Sequence, residues 1–400
     1  MNIFVRVVVC LVISASSTAL ALDRDALFDK ADQAYEAKDY QSALSKMEAL
    51  AVLGDARAQN YVGYMHAFAK GTIKDVEKAA QWYCQAALQG HAKAMANIAR
   101  FYVDGTGVEA DTTIANAWYA SAARLGDVSG QVNLGMNHLD GVGTPEDPAL
   151  AFTWLSIALK ERAGKTLAHE YLSDAKKVLS AEQRKTLTDE VARWTPLVFS
   201  DAMKAEIADS PLCKSQEMDL KPLTFNAGSR ALRHEEYDLA YTLFETLADV
   251  DHAPSQIILA EMLEKGQGQD KDLNQATAWY CRAAAQGDVE ALWRLGSTNP
   301  GNAKTFHTIG ANLGDARAQL VLGRQMRTSN PTQAYKWLSV ASNENLDESG
   351  EAEELFDQFR TQVTREQKIE GITLAADFWP VQFNAEMAEA VRNTRACQRS

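Results

Sequence analysis

Trp82, Trp118 and Trp154 stand at equal intervals of 36 residues, and Gly90 and Gly126 keep the same interval. A fixed period in the range of about 20 to 50 residues marks an array in which each supersecondary unit stacks on its neighbours. The units read "DARAQNYVGYMHAFAKGTIKDVEKAAQWYCQAALQG", "HAKAMANIARFYVDGTGVEADTTIANAWYASAARLG" and "DVSGQVNLGMNHLDGVGTPEDPALAFTWLSIALKER". Each holds two helical stretches around a glycine-containing loop. In the first unit, Ala79, Trp82, Tyr83, Ala86 and Ala87 follow the i, i+3, i+4, i+7, i+8 stripe of a one-sided helix. Ala58, Val62 and Gly63 offer small surface on the other helix. So short a pair cannot bury its stripe alone, so the units must stack. The pattern predicts an all-α chain, an α-solenoid of helix-turn-helix repeats.

The punctuation agrees with the period. Gly54, Gly90, Gly126, Gly287 and Gly314 follow apolar helices where a left-handed terminating residue is needed. Asp55, Asp127, Asp288 and Asp315 come next as N-caps. Asp147-Pro148 and Asn330-Pro331 are N-cap and first-turn proline pairs. Ser180 with Gln183, and Thr364 with Gln367, form capping boxes.

"NLGMNHLDGVG" with "ALAFTWLSIAL", and "DVEKAAQWYCQAALQG", resemble the Sel1-like repeat, a relative of the tetratricopeptide repeat. The resemblance covers residues 55–160 and 252–342, and the flanking segments 31–51 and 226–248 resemble more generic tetratricopeptide units. It implies a scaffold, since one fold hosts many unrelated functions.

The two halves of the chain also match each other. Tyr40 aligns with Tyr237, Trp82 with Trp279 and Cys84 with Cys281, all 197 residues apart. The offset falls to 188 at Gly126 and Gly314 and to 183 at Trp154 and Trp337, so the second half has an eroded repeat. Each half closes on a similar tail, ending at Cys213 and at Cys397. The expected organisation is a leader over residues 1–21, an N-terminal module over 22–213 and a C-terminal module over 214–400.

Cys84, Cys213, Cys281 and Cys397 allow three pairings. A copied bond favours Cys84 with Cys213 and Cys281 with Cys397; the rival links Cys213 to Cys281 and leaves Cys84 to Cys397. Reach permits the first, because about twenty extended residues span ~65 Å. The tail would then run back along the stack.

"MNIFVRVVVCLVISASSTALA" carries an early cation, Arg6, an apolar run from Val7 to Ile13, and the small-residue site Ala19-Leu20-Ala21. That is the plan of a secretory signal peptide cleaved after Ala21, and it removes Cys10. The run is shorter than the ~20 apolar residues a membrane span needs. An exported, periplasmic chain with no stable membrane insertion is expected, in a compartment where cysteines pair. The formal charge of −13 becomes −14 once Arg6 is lost. Such an acidic balance argues against nucleic acid as a partner.

No constellation for catalysis stands out. The seven histidines are scattered, with no HExxH and no CxxC. "GTGVEA" and "GVGTPEDP" sit between helices, where phosphate cradling is not expected. No cofactor or metal is expected, and oligomeric state is not encoded legibly. Cysteine-rich Sel1-like proteins with β-lactamase or penicillin-binding activity resemble the chain in export and repeat type. They carry a cysteine pair in nearly every repeat, which this chain lacks, so a cell-wall enzyme is the alternative reading.

A curved helix-pair array presents a concave face lined by its first helices. By resemblance to tetratricopeptide grooves, Asn60, Tyr64, Lys93, Arg100, Arg230, Arg233, Glu261 and Glu264 would face it. The expected function is a non-catalytic adaptor for a protein or peptide. Exported relatives imply regulation of an envelope sensor or assembly of an envelope complex. The leader reading predicts that the exported protein begins at Leu22. N-terminal sequencing checks it; retention of Met1 would overturn it.

Overall fold

A computed structural model describes residues 22–160, 165–214, 218–343 and 350–398; the leader, residues 1–21, lies outside the described residues. Helices and their connections account for the described chain, and no strand occurs in it. Two compact units are present, one over Asp23–Arg230 and one from Ala231 onward.

The first unit opens with α1 (Arg24–Glu36) and α2 (Tyr40–Val52), then α3 (Ala56–Ala67) and α4 (Val76–Ala87). The stack continues with α5 (Ala92–Asp104), α6 (Thr112–Arg124), α7 (Val128–Asp140) and α8 (Pro148–Ala158). The tail holds α9 (Lys165–Val178), α10 (Ala181–Arg193), α11 (Asp201–Asp209) and α12 (Pro211–Lys214). Helix α13 (Leu220–Arg233) spans the division. The second unit contains α14 (Tyr237–Ala248), α15 (Ala253–Lys265), α16 (Leu273–Ala284), α17 (Val289–Thr298) and α18 (Ala303–Asn312). After them come α19 (Ala316–Met326), α20 (Pro331–Asn343), α21 (Glu351–Phe359), α22 (Arg365–Ala376), α23 (Ala385–Arg392) and α24 (Arg395–Gln398). The eroded region thus keeps a shortened helix pair, α17 and α18.

Close approach within a pair comes from size matching. A Cβ on Gly63 of α3 would meet the Tyr83 ring of α4 at 2.7 Å, and one on Gly135 would meet Leu155 at 2.7 Å. Gly323 stands against Leu338 in the same way. Elsewhere alanine serves: Ala99 and Ala260 are fully buried on their first helices. Between pairs, Trp82, Trp118, Trp279 and Trp337 are almost completely buried on the second helices.

A buried glutamine recurs at each of four junctions. The Nε2 groups of Gln59, Gln131, Gln256 and Gln319 donate to the carbonyls of Ala51, Ala123, Ala248 and Ala311, at 3.0, 3.3, 3.0 and 3.2 Å. Each carbonyl lies at or near the end of the preceding helix, where backbone acceptors lack helical partners. Gln89 and Gln286 extend the chain by donating to Gln59 and Gln256. The expected caps are formed: Asp55, Asp127, Asp288 and Asp315 accept first-turn amides, and both capping boxes close.

Each tail folds back over the second-helix ends. Trp194 sits edge-on to Trp154, with ring centroids 6.2 Å apart, and Phe378 packs likewise on Trp337 at 5.3 Å. The Leu197 amide donates to the Arg124 carbonyl at 2.8 Å, and the Val381 amide to the Asn312 carbonyl at 2.9 Å. Pro196 and Pro380 lie over Gly126 and Gly314. Phe199 and Phe383 press so closely on Gly90 and Gly287 that a Cβ there would come within 2.6 Å. With φ of +83° and +91°, these two positions need glycine for both backbone and space.

The straps end in disulfides. Cys84 pairs with Cys213 and Cys281 with Cys397, with Cα atoms 5.4 and 5.5 Å apart. They close loops of 129 and 116 residues. Cross-links of that span stabilise mainly by restricting the unfolded chain, by about 2–5 kcal/mol each. Cys84→Ser with Cys213→Ser should therefore destabilise the first unit by that amount while leaving helical content intact. Chemical denaturation followed by circular dichroism checks it; an unchanged midpoint would show that the strap holds without its covalent end.

Candidate binding site

The first helices of the first unit bring aromatic and amide side chains together. On α1 and α3, Tyr35 packs edge-on against Tyr61 at 5.7 Å and Tyr64 at 6.5 Å, while Phe28 meets Tyr61 at 5.7 Å. Tyr64 tilts against Phe68 at 4.6 Å. From α5, the Arg100 guanidinium lies 5.9 Å from the Phe68 ring centre. Tyr61 donates its hydroxyl to Asp32 at 2.8 Å, and Asn97 donates to Asn60 Oδ1 at 2.9 Å. Phe68 remains 44% exposed and the three tyrosines are half-buried, so the cluster offers ring surface to solvent.

The Tyr35 and Tyr61 phenols are neutral donors over the whole physiological range. Burial pushes Tyr35 up to about 12, helped by Tyr64 and Tyr40. Burial also raises Tyr61 to about 12, with the hydrogen bond to Asp32 second. The face therefore has apolar rings with polar tips, bordered by charges such as Arg57, 4.3 Å from the Phe28 ring centre, a surface on which an extended segment can lay side chains and bond its backbone.

The residues expected to line a groove occupy different settings. Tyr64 and Arg100 belong to the cluster, and Arg100 also pairs with Asp104 at 3.2 Å. Asn60 is buried and committed to Asn97. Lys93 is exposed in the first turn of α5, and Arg233 is exposed near the end of α13. Arg230 instead joins Glu48 of α2 at 2.7 Å, beside Lys78 at 4.0 Å and His66 Nε2 at 3.8 Å. Burial opposes ionisation of Glu48, but neighbouring His66 and the Arg230 and Lys78 charges outweigh it and hold its pKa low.

In the second unit, the corresponding helices carry a ladder of ion pairs. Arg294 joins Glu261 and Glu290, each at 2.8 Å, and Arg317 joins Glu290 at 2.7 Å and Asp315 at 3.0 Å. Burial opposes the charge on Glu290, yet its bonds to Arg317 and Arg294 keep its pKa low. Arg317 also covers the Trp293 ring at 5.0 Å. Glu264 accepts from the Tyr280 hydroxyl at 3.1 Å. Glu261 and Glu264 are thus occupied by neighbours in their own unit. Aligned positions have diverged: Tyr64 corresponds to Glu261, Lys93 to Glu290 and Asn97 to Arg294.

Sequence reading passed over Tyr35, Tyr61, Phe68 and the ladder. Tyr61 adjoins Asn60, and Phe68 sits at the helix end where a loop begins. The available signal was the density of aromatics on two successive first helices. Among the described residues, no group of three or more histidine, cysteine, aspartate or glutamate side chains is arranged to hold a metal ion.

The Sel1 repeat family matches residues 56–91, 92–127, 128–161, 253–288 and 316–346. The gap over 289–315 coincides with α17 and α18, a pair retained in structure after its sequence signature faded. A solved protective antigen of uropathogenic Escherichia coli strains, displaying an SLR fold, is similar at 20% identity. The match covers 94% of this chain and 78% of that one, with a TM-score of 0.32. A Sel1 repeat protein from Oxalobacter formigenes is similar at 20% identity over 79% of this chain and 96% of that one, with a TM-score of 0.30. No curated protein sequence matches.

His307 supplies a pH test of the second unit. It packs on Trp293 at 5.5 Å, is 5% exposed, and neither ring nitrogen has a hydrogen-bond partner. Burial lowers its pKa, with Asp315 opposing. The unfolded imidazole titrates near 6.5, so its contribution is complete above that pH and is lost as pH falls toward the lower folded value. The unit's melting temperature should fall as pH drops below about 6.5, ahead of carboxylate titration. His307→Phe should flatten that step; calorimetry across pH checks it, and an unchanged step would assign it elsewhere.

Proposed function

Because the chain is a Sel1-repeat protein, with five matched units, we propose that it is an exported, periplasmic adaptor holding a segment of a protein or peptide on the first-helix face of its first unit. The observation that carries this reading is the cluster of Tyr35, Tyr61, Tyr64 and Phe68 beside Arg100, left partly open to solvent. Half-buried tyrosines provide large rigid contact area with little side-chain entropy to lose, and Arg100, whose only ion-pair partner among the described residues is the exposed Asp104 on its own helix, keeps guanidinium hydrogens for a partner carboxylate. The ion ladder of the second unit spends its charges internally, which directs binding to the first.

Export is supported by the leader pattern and by two disulfides, bonds that persist in oxidising compartments. The adaptor carries no chemistry of its own; it positions its partner. In an envelope this serves either restraint of a sensor domain or assembly of a complex. Stacked helix pairs suit the task because each adds a strip of surface without altering the next.

Tyr64→Ala with Arg100→Ala tests the reading by affinity capture from an envelope fraction, followed by titration of the captured protein. Loss of an aromatic anchor and its neighbouring cation should weaken binding by about tenfold or more. Specific capture of peptidoglycan or a small molecule without any protein would overturn the proposal. Turnover of a chromogenic β-lactam by the purified chain would move it to the enzymatic alternative.

A further inference from the structure

Glu48 and Glu245 occupy the same place in the two copies, 197 residues apart, on α2 and α14. Both are partly buried, but their surroundings differ. Around Glu48 the first unit gathers three basic side chains, Arg230 at 2.7 Å, His66 Nε2 at 3.8 Å and Lys78 at 4.0 Å. Arg230 is carried by α13, whose residues up to that point belong to the first unit. Two turns before it, Leu223 shares a cleft with Lys78 and Gln81 of α4. A helix therefore lies across α2 and α4 and meets their acid with one arginine. Ala49 and Val52, beside Glu48, are buried there, and Lys78 is half-buried.

The second unit keeps the acid without those partners. His66 and Lys78 correspond to Leu263 and Gln275. Burial raises the pKa of Glu245, and the Asp249 charge one turn on raises it further, with no cation opposing. Of the neighbouring charges, Arg282 is held by Asp249 and Asp251, Asp272 caps α16, and Lys271 stands between Asp270 and Asp272 in the exposed loop before that helix. The surface is also open: Asp249 and Gln275, in the places of Val52 and Lys78, are exposed. A partly buried carboxylate without a counter-ion costs stability, and no described side chain of this unit offsets the cost. The first copy shows what fits such a face. A second molecule of the chain would offer α1, the counterpart of α13, in which Gln33 replaces Arg230 and brings no charge.

We infer that the face of α14 and α16 around Glu245 is a docking surface, separate from the first-unit cluster, for a helix of another protein that carries an arginine where α13 carries Arg230, with an apolar residue two turns before it. The guanidinium donates to the Glu245 carboxylate and sets the orientation of the helix, while the apolar residue rests on α16.

The test uses the chain lacking residues 1–21 and a fluorescein-labelled peptide of residues 218–233, stapled because so short a helix is marginal in water. A twin peptide has citrulline, an uncharged isostere, in place of Arg230. By fluorescence anisotropy the arginine peptide should bind and the twin should bind about tenfold more weakly. Glu245→Gln should weaken the arginine peptide by about tenfold, leave the twin unchanged, and keep or raise the melting temperature. A third peptide, with photoreactive benzoylphenylalanine in place of Leu223, should cross-link to α16 of the wild type; this carries the test if Glu245→Gln unfolds. Tyr64→Ala with Arg100→Ala should leave peptide binding unchanged, which separates this surface from the proposed partner face. No binding of the arginine peptide, equal binding of the twin, equal binding by Glu245→Gln, or cross-links on α4 instead of α16 overturns the inference. So does a wild-type dimer in sedimentation that Glu245→Gln dissolves, which would make a second copy the occupant.

Discussion

A stacked helix array must bury the ends of its own helices, and a buried end leaves carbonyls without intrahelical partners. This chain answers with one unit of sequence at each of four junctions. A left-handed terminating residue stops the helix and, shortly after, a glutamine returns its amide to the helix just ended, while at three of the four an aspartate caps the next helix. The side chain bonds eight residues back, so cap and glutamine fix the angle at which one pair follows another. Gln59 and Gln256 then accept from Gln89 and Gln286, which carries the network to the end of the following pair. At the corresponding positions of two other units stand Met95 and Leu292, both fully buried. Apolar packing replaces the amide there, and the stack continues.

Much of this was legible because it is local. Tryptophan spacing, terminal glycines and caps all act within a few residues of where they are written. The glutamines were not legible, because a polar residue on a helix reads as solvated until the neighbouring carbonyl is in view. The same limit hid the ladder: Glu261 and Arg294 lie 33 residues apart, and Glu48 and Arg230 are separated by 182. Asn60 and Arg230 looked like free surface residues for that reason. Tyr64 and Arg100 were readable as neighbours because the repeat period places successive first helices side by side.

The duplication shows what physical selection on such an array can change. Stacking residues are held in both halves: Trp82 and Trp279, Tyr83 and Tyr280, Cys84 and Cys281. The first-helix face is not. Its first copy gathers rings and amides, while its second trades them for alternating charges that satisfy one another. A partly exposed ion pair contributes little to stability, so the ladder changes the fold little while its charges satisfy one another. Divergence of surface over a fixed core is how one scaffold comes to carry two different halves.

The straps alter the mechanics of the array. In an open solenoid each repeat touches only its neighbours, so an end can fray without disturbing the middle. Here the chain leaves the last pair, crosses the glycine ends of the second helices, and is bonded to a helix near the start of its own stack. Fraying at the far end then requires the strap to lift from Gly126 and Gly90, or from Gly314 and Gly287, while its other end stays covalently fixed. A string of local contacts gains one contact that spans more than a hundred residues. Each repeat becomes dependent on repeats it does not touch. That coupling ties the first-helix face of one pair to the strap and to the pairs it crosses, so the array moves as one body where an open stack would fray from its end.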